Sequence, residues 1–281
     1  MAVSGNATAP AAVVAPSRLK PLPRGRCATC MQQSRLQPEG VATLHGGHSR
    51  PPSKALHLPT KIAMSTRPSQ PVPTRLCIIR HGETEWNAQG RIQGHTDIPL
   101  NAAGGAQAQA LALKLAHQRF HAIYSSDLAR ATETAQVLAH REGHAVRLLP
   151  QLRERHFGIF QGLTAAQGAE RYPGAYLHYL ARDPEYDFET GESLCRFAAR
   201  VTAGIDWLVL QHRGQTVAVM CHSGVLDVVY RRATGRVLSA PRDFRIPNGS
   251  LNWFHCDGEG WHLETWGEGA GPGSVLTQPP E

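Results

Sequence analysis

The chain has 281 residues, a length that fits one large domain or two small ones. Its composition, 41% hydrophobic and 18% charged, is that of a globular protein, and no run of about eighteen apolar residues predicts a membrane span. The net charge of +7 arises in residues 1–75, which hold ten basic residues and one acidic residue. The other 19 basic and 21 acidic residues leave the body at −2, so we expect no nucleic-acid partner and no membrane partner.

The first 73 residues are rich in Ala, Pro, Ser, Gly and Arg and poor in aromatics. We predict that this basic tail is disordered, because it cannot bury enough apolar surface to offset its ordering entropy. Two explanations stay open: an organelle transit peptide, or a start codon assigned too early, with Met64 as the true start. The absence of an amphipathic helix pattern favours Met64. A second disordered tail is predicted at 269–281.

The six cysteines are scattered and form no disulfide framework, which indicates a reducing compartment. Cys27 and Cys30 have the spacing of a metal or redox pair, but no second pair supports them, so we interpret this spacing as chance. We therefore expect a cytoplasmic protein, or an organellar one if the tail is a transit peptide. The oligomeric state is open, with a homodimer as one alternative.

Strands and helices alternate between residues 74 and 268. Alternation of this length predicts one α/β domain, a three-layer α/β/α sandwich with a mainly parallel sheet. Asn101 is placed to cap the first helix, and Asp127 or Ser126 the second. The predicted strands are 76–79, 122–124, 146–149, 216–221 and 250–255, and the predicted helices are 102–118, 128–141, 194–211 and 225–234.

Charged and nucleophilic side chains follow four of these strands. In open α/β sheets the functional site lies beyond the carboxyl ends of the strands, so these side chains are expected to meet there. Each one alone is better explained as a structural histidine, a surface arginine or a salt-bridged loop. Their coincidence favours a site made of Arg80, His81, Arg130, Glu154 and His222.

Such a set suits phosphoryl transfer. Arginine presents fixed donors that match the oxygens of a phosphate dianion, histidine can act as a nucleophile, and a carboxyl group can protonate a leaving alcohol. Neither an Asp-rich metal set nor a nucleotide-binding glycine motif occurs, so we predict no cofactor and no required metal. The predicted partner is a small phosphorylated metabolite.

The sequence LCIIRHGETEWN, residues 76–87, resembles the signature of the histidine phosphatase superfamily, the phosphoglycerate mutase-like enzymes. The resemblance extends to about residue 253, and RHG with SDLxRAxxTA and a late histidine turn is highly specific. The motifs that carry it are RHGETEWN at 80–87, QGHTDIPLN at 93–101, SSDLARATETA at 125–135, LRERHFGIFQG at 152–162, GES at 191–193 and CHSGV at 221–225.

The resemblance implies a phosphoglycerate mutase-like fold and assigns a role to each matching residue. It implies phosphorylation of His81, phosphate binding by Arg80 and Arg130, a second histidine at His222 that also bonds the transferred group, and proton donation by Glu154. The implied substrate-binding set further includes Thr84, Asn87, Gln93, Gly94 and Ser223. Many family members have glycine where Ser223 stands, and we expect its hydroxyl to cap the next helix rather than to act as an extra donor.

The same resemblance leaves two activities open, a phosphatase and a cofactor-dependent phosphoglycerate mutase. Mutases of the family carry added lysine and arginine after the glutamate motif. Here the basic residues of the segment 163–192 are only Arg171 and Arg182, besides His178. Thr164 begins a stretch where those mutases are expected to have lysine. We therefore favour a phosphatase of small phosphate monoesters, with the mutase as the alternative. The aromatic residues of this stretch are expected to pack within a lid.

Overall fold

The computed structural model describes residues 72–269, so the predictions for both tails, for Met64 and for the Cys27–Cys30 pair lie outside the described residues. Six strands and seven helices occur in this range. The strands are β1 (Thr74–Arg80), β2 (Ala122–Ser125), β3 (Val146–Leu148), β4 (Thr216–Cys221), β5 (Leu251–Cys256) and β6 (Trp261–Glu268). The helices are α1 (Glu85–Ala88), α2 (Ala102–Lys114), α3 (Ala129–Glu142), α4 (Ala165–Arg171), α5 (Pro173–Leu180), α6 (Leu194–Gln211) and α7 (Ser223–Thr234).

The strands form one mixed sheet in the order β3-β2-β4-β1-β5-β6. The pairs β1/β4, β2/β4 and β2/β3 are parallel, whereas β5 runs antiparallel to β1 and β6 antiparallel to β5. The parallel part of the prediction is therefore confirmed. The hairpin partner β6 was not predicted.

Alternate residues of the central strands face opposite helical layers. Leu76 and Ile78 pack in a cluster with α6 and α7, whereas Cys77 and Ile79 pack with α2 and α3. Because side chains alternate along a strand, a continuously apolar strand signals burial on both faces. The three-layer sandwich is confirmed.

Two predicted helix caps have different outcomes. Asn101 accepts a hydrogen bond from the Gly104 N–H at 2.8 Å, so its cap on α2 is confirmed. The cap of α3 by Asp127 or Ser126 is wrong. The Ala129 N–H instead donates to Asp97 at 2.7 Å, and Asp97 lies in a loop that is distant in sequence.

The lid, residues 157–192, packs around its own aromatic cluster. Phe160 and Phe188 are buried with ring centroids 5.2 Å apart, and Tyr179 lies 5.7 Å from Phe160. The packing interpretation of these aromatics is confirmed, although the short helices α4 and α5 inside the lid were not predicted. Among residues 72–269, no helix has the length and apolar character needed to cross a membrane.

Candidate active site

The predicted site residues meet at the carboxyl edge of the sheet. Arg80 is the last residue of β1 and lies in register with Cys221, the last residue of β4. Because parallel strands end at one edge, His81 and His222 follow side by side, with ring centroids 5.1 Å apart. Eight predicted residues line one cavity at this edge: Arg80, His81, Asn87, Gln93, Gly94, Arg130, Glu154 and Ser223.

His81 is buried, with its ring fixed by the backbone. Its Nδ1 lies 2.6 Å from the carbonyl oxygen of Gly82. A carbonyl oxygen only accepts, so Nδ1 carries the proton and Nε2 carries the lone pair. Burial, and then the charges of Arg130 and Arg80, lower the pKa of His81 well below its ordinary value. The imidazole is therefore neutral and nucleophilic at neutral pH.

Arg80 supplies an unused donor beside this ring. Its Nη1 donates to the carbonyl oxygen of Ile246 at 2.5 Å, whereas its buried Nε has no hydrogen-bond partner among residues 72–269. Burial lowers the pKa of Arg80 to about 10, so the guanidinium remains charged near neutrality. A buried donor without a partner costs free energy, and an anionic oxygen in the cavity would remove that cost.

Arg130 is fixed from three sides. Its Nη1 and Nη2 donate to the carbonyl oxygens of Thr96 (3.0 Å) and Gly94 (2.8 Å), and its Nε donates to His222 Nδ1 (3.2 Å). His222 Nδ1 is therefore an acceptor, and Nε2, which carries the proton, donates to the Ser126 hydroxyl at 2.9 Å. His222 is fully buried and is not among the described residues that line the cavity.

The Glu154 carboxylate lies at the N-terminus of α7. Its Oε2 accepts from the Gly224 N–H at 3.0 Å and from the Ser223 hydroxyl at 3.2 Å, and its Oε1 accepts from the Arg155 N–H at 2.8 Å. The predicted capping role of Ser223 is therefore wrong. His222 occupies the N-cap position without a side-chain bond, and the Ser223 hydroxyl orients Glu154.

Thr84 supports the site from behind. It is fully buried, and its hydroxyl accepts from the Asn87 N–H at 3.1 Å in a capping box on α1. Asn87 Oδ1 accepts in turn from the Asn248 side chain at 3.2 Å, and Asn87 itself lines the cavity. Gln93 adds a buried Oε1 without a partner in the described part of the chain.

Comparisons with known proteins agree with this geometry. The family model of the histidine phosphatase superfamily (branch 1) matches residues 76–269. The chain belongs to the histidine phosphatase superfamily.

Curated relatives and a solved structure extend the match. A phosphoglycerate mutase-like protein 4 from Arabidopsis thaliana is 39% identical over 69% of this chain and 84% of its own length. A metal-independent phosphoserine phosphatase from the same plant is 37% identical over 69% of this chain and 82% of its own length. A mycobacterial glucosyl-3-phosphoglycerate phosphatase in complex with VO3 is 33% identical, covers 68% of this chain and 98% of that chain, and has a TM-score of 0.62. The predicted family and fold are confirmed.

This histidine phosphatase has site residues that its motifs did not reveal. Asn248 is buried, and its side-chain amide donates to the carbonyl oxygens of His81 (3.1 Å) and Gly82 (3.2 Å), which fixes the backbone beneath the nucleophile. The only sequence signal was the Pro247-Asn248-Gly249 turn directly before β5.

The cavity also contains more positive charge than the lid sequence suggested. Arg155, Arg182 and Arg242 line it together with Arg80 and Arg130. Arg155 stabilises the lid, because its Nε and Nη2 donate to the carbonyl oxygens of Glu192 (2.8 Å) and Tyr186 (3.0 Å). The lid sequence alone therefore understates the positive charge of the cavity.

Proposed function

We propose that this histidine phosphatase hydrolyses small phosphate monoesters through a phosphohistidine on His81. The observation that carries the proposal is the pairing of two unused groups in one cavity. The lone pair of His81 Nε2 and the unpartnered donor of Arg80 Nε lie together at the edge of the sheet. A nucleophile beside a donor for anionic oxygen is the arrangement that phosphoryl transfer needs.

The first step transfers the phosphoryl group to the enzyme. The lone pair of His81 Nε2 attacks phosphorus while the bond from phosphorus to the ester oxygen breaks. The ester oxygen takes the bond electrons and a proton from Glu154, which enters this step as the neutral carboxylic acid and leaves it as the carboxylate, so the alcohol leaves neutral. Arg80 and Arg130 stabilise the charge on the phosphoryl oxygens, and His222 holds Arg130 in place through its Nδ1.

The second step restores the enzyme. A water molecule attacks phosphorus and gives a proton to the Glu154 carboxylate, while the nitrogen–phosphorus bond breaks and its electrons return to Nε2. Inorganic phosphate then leaves. One carboxyl group serves as acid and then as base, so neither step requires a metal ion. The printed name of the metal-independent relative from Arabidopsis supports this part of the proposal.

We propose hydrolysis rather than mutase activity as the main reaction. Of the six arginines that line the cavity, only Arg182 belongs to the lid, and Arg155, just before the lid, is engaged with lid carbonyl groups. Two of the reported relatives are phosphatases by name, and the third is named only as mutase-like. Water therefore remains the expected acceptor of the phosphoryl group.

A substrate panel tests this choice. Phosphate release from p-nitrophenyl phosphate, phosphoserine and several sugar phosphates is measured beside interconversion of 3- and 2-phosphoglycerate. We expect release of inorganic phosphate to exceed interconversion. Interconversion that far outpaces hydrolysis would establish the mutase instead.

A further inference from the structure

Two histidines and an aspartate meet at the end of the β5–β6 hairpin. His255 on β5 lies in register with His262 on β6, and their rings stack with centroids 4.7 Å apart. Asp257 follows β5 at the turn, and its Oδ1 lies 3.3 Å from His262 Nε2. One ligand atom from each of the three side chains lies within 4.8 Å of the other two. Among residues 72–269, no other three histidine, cysteine or carboxylate side chains come this close together.

This hairpin cluster, made of His255, Asp257 and His262, lies far from the nucleophile. His255 pairs with Arg75 at the start of β1, whereas His81 follows the end of that strand. The extended chain from Arg75 to His81 separates the two places by about 20 Å. The three side chains are not among the described residues that line the active-site cavity. They are 29% to 41% exposed, so an ion can reach them from solvent.

Neighbouring groups hold two of these side chains in place. Asp257 Oδ1 accepts from two backbone N–H groups of the turn, at 2.8 and 3.1 Å. His255 Nδ1 lies 3.2 Å from Oε1 of Glu264, whose other oxygen accepts from Arg75 Nε at 2.8 Å. This carboxylate favours a proton on Nδ1 of His255, which leaves the lone pair on Nε2. A carboxylate behind a histidine is the outer contact that orients ligands in many metal sites.

The hairpin cluster has the chemistry and nearly the spacing of a zinc site. Two imidazoles and one carboxylate are ligands that zinc and related divalent transition metals accept. Tetrahedral zinc with bonds of about 2.0–2.1 Å holds its ligand atoms about 3.3 Å apart. His262 Nε2 and Asp257 Oδ1 already have this separation. The contact between these two side chains would fix the turn by itself, whereas a bound ion also accounts for the second imidazole stacked beside them.

We propose that His255, Asp257 and His262 bind one divalent transition-metal ion such as Zn²⁺, which joins β5 to β6. The ion takes the lone pair of His262 Nε2, the proton of that nitrogen passes to solvent, and water completes the four-coordinate site. The strand β6 lies at the edge of the sheet, and its residues are mostly half-buried. A metal link to β5 therefore stabilises a strand that pairs on one side only. The role of the ion is structural, and hydrolysis at His81 does not depend on it.

Competition of the full-length chain with a chromophoric zinc chelator tests the site. The native protein should bind one more equivalent of Zn²⁺ than His262→Gln, which lacks one of the three ligands. Zinc held by cysteines or histidines of residues 1–71 is common to both proteins and cancels in the difference. The control His140→Gln alters an exposed histidine in the last turn of α3 and should bind zinc as the native protein does. Equal binding by the native protein and His262→Gln would overturn the site.

A second variant and a stability measurement test the structural role. Asp257→Asn keeps a side-chain oxygen for the N–H groups of the turn but removes the negative charge, so Zn²⁺ should bind at least about tenfold more weakly. With free Zn²⁺ at about 100 times its Kd, the Tm of the native protein and of His140→Gln should rise by about 5 °C. The same Zn²⁺ concentration should raise the Tm of His262→Gln and Asp257→Asn much less. An equal rise in all four proteins, or zinc binding without any rise, would overturn the metal link between the strands.

Discussion

The nucleophilic state of His81 is produced by its surroundings rather than by the imidazole itself. Burial and, after it, two guanidinium groups disfavour the protonated ring, and the Gly82 carbonyl oxygen selects the tautomer with a free Nε2. The same forces act on His222, where burial and the charge of Arg130 lower the pKa well below its ordinary value. Each side chain in the site is thus prepared by its neighbours before a substrate arrives.

The depressed pKa of His81 has a consequence for stability. Below about pH 6.5 an unfolded chain protonates this histidine, whereas the folded protein resists protonation, so folding loses free energy as pH falls. In His81→Asn this loss is absent. The difference in unfolding free energy between His81→Asn and the native protein should therefore shift in favour of the variant by up to about 1.4 kcal/mol for each pH unit below pH 6.5.

Urea unfolding at several pH values between neutral and mildly acidic measures this difference. A difference in unfolding free energy that does not change with pH would show that the folded protein protonates His81 as readily as the unfolded chain does. His222→Asn provides a second, independent test of the same sign, since burial lowers the pKa of that ring also.

Glu154→Gln should separate the two chemical steps. The amide keeps the size of the side chain but neither donates the proton to the alcohol nor accepts one from water. For alkyl phosphates we expect kcat/KM to fall by about 10² to 10⁴, the usual contribution of general acid catalysis. With p-nitrophenyl phosphate the leaving group departs without a proton, so we expect a burst of about one equivalent followed by slow turnover. Rapid-quench kinetics measures the burst, and full steady-state turnover of alkyl phosphates would refute the role of Glu154.

At the scale of elements, the nucleophile loop is held by a close contact between two backbones. A Cβ atom on Gly104, in the first turn of α2, would lie 2.0 Å from the carbonyl oxygen of Glu83, directly after the RHG sequence. A Cβ atom on the neighbouring Gly105 would meet nothing within 4 Å. The absence of a side chain at Gly104 therefore lets α2 approach the loop that carries His81.

These adjacent glycines provide a matched pair of variants. Gly104→Ala forces two backbone segments apart, and we expect a loss of about 1–3 kcal/mol of stability together with lower kcat. Gly105→Ala should instead raise stability by up to about 1 kcal/mol, because alanine is the better helix former, and should leave kcat unchanged. Thermal unfolding and p-nitrophenyl phosphate hydrolysis measure both effects. Similar behaviour of the two variants would contradict the close contact.

At the scale of the whole molecule, the sequence predicted those strands and helices that are marked by a local pattern of apolar residues. The apolar runs of β1 and β4 and the periodicity of α6 are local, and α6 and β4 were predicted with the bounds that the structure has. The strand β6 lacks such a pattern, because apolar and polar residues alternate poorly in its sequence, WHLETWGE. In the structure its residues are mostly half-buried. Pairing with β5, rather than intrinsic preference, makes it a strand.

The site was predictable to the extent that motifs at strand ends carry it. The contacts that were missed join residues far apart in the sequence, such as Asp97 at the N-terminus of α3 and Asn248 beneath His81. The carboxylate of Asp227 on α7 likewise pairs with Arg182 of the lid and with Arg242 in the segment after α7. No local spacing in the sequence predicts contacts between such distant residues. The hydrogen bond of the Ser223 hydroxyl was missed for the same reason, since its partner lies 69 residues away in the sequence.

The central claim is that the phosphoryl group passes through His81. Brief exposure of Glu154→Gln to p-nitrophenyl phosphate, followed by quenching at alkaline pH and intact-protein mass spectrometry, should reveal one added phosphoryl group, because this variant accumulates the intermediate. Peptide mapping should place it on His81, and the double variant with His81→Asn should not acquire it. A phosphoryl group on another residue, or equal labelling of the double variant, would contradict the account.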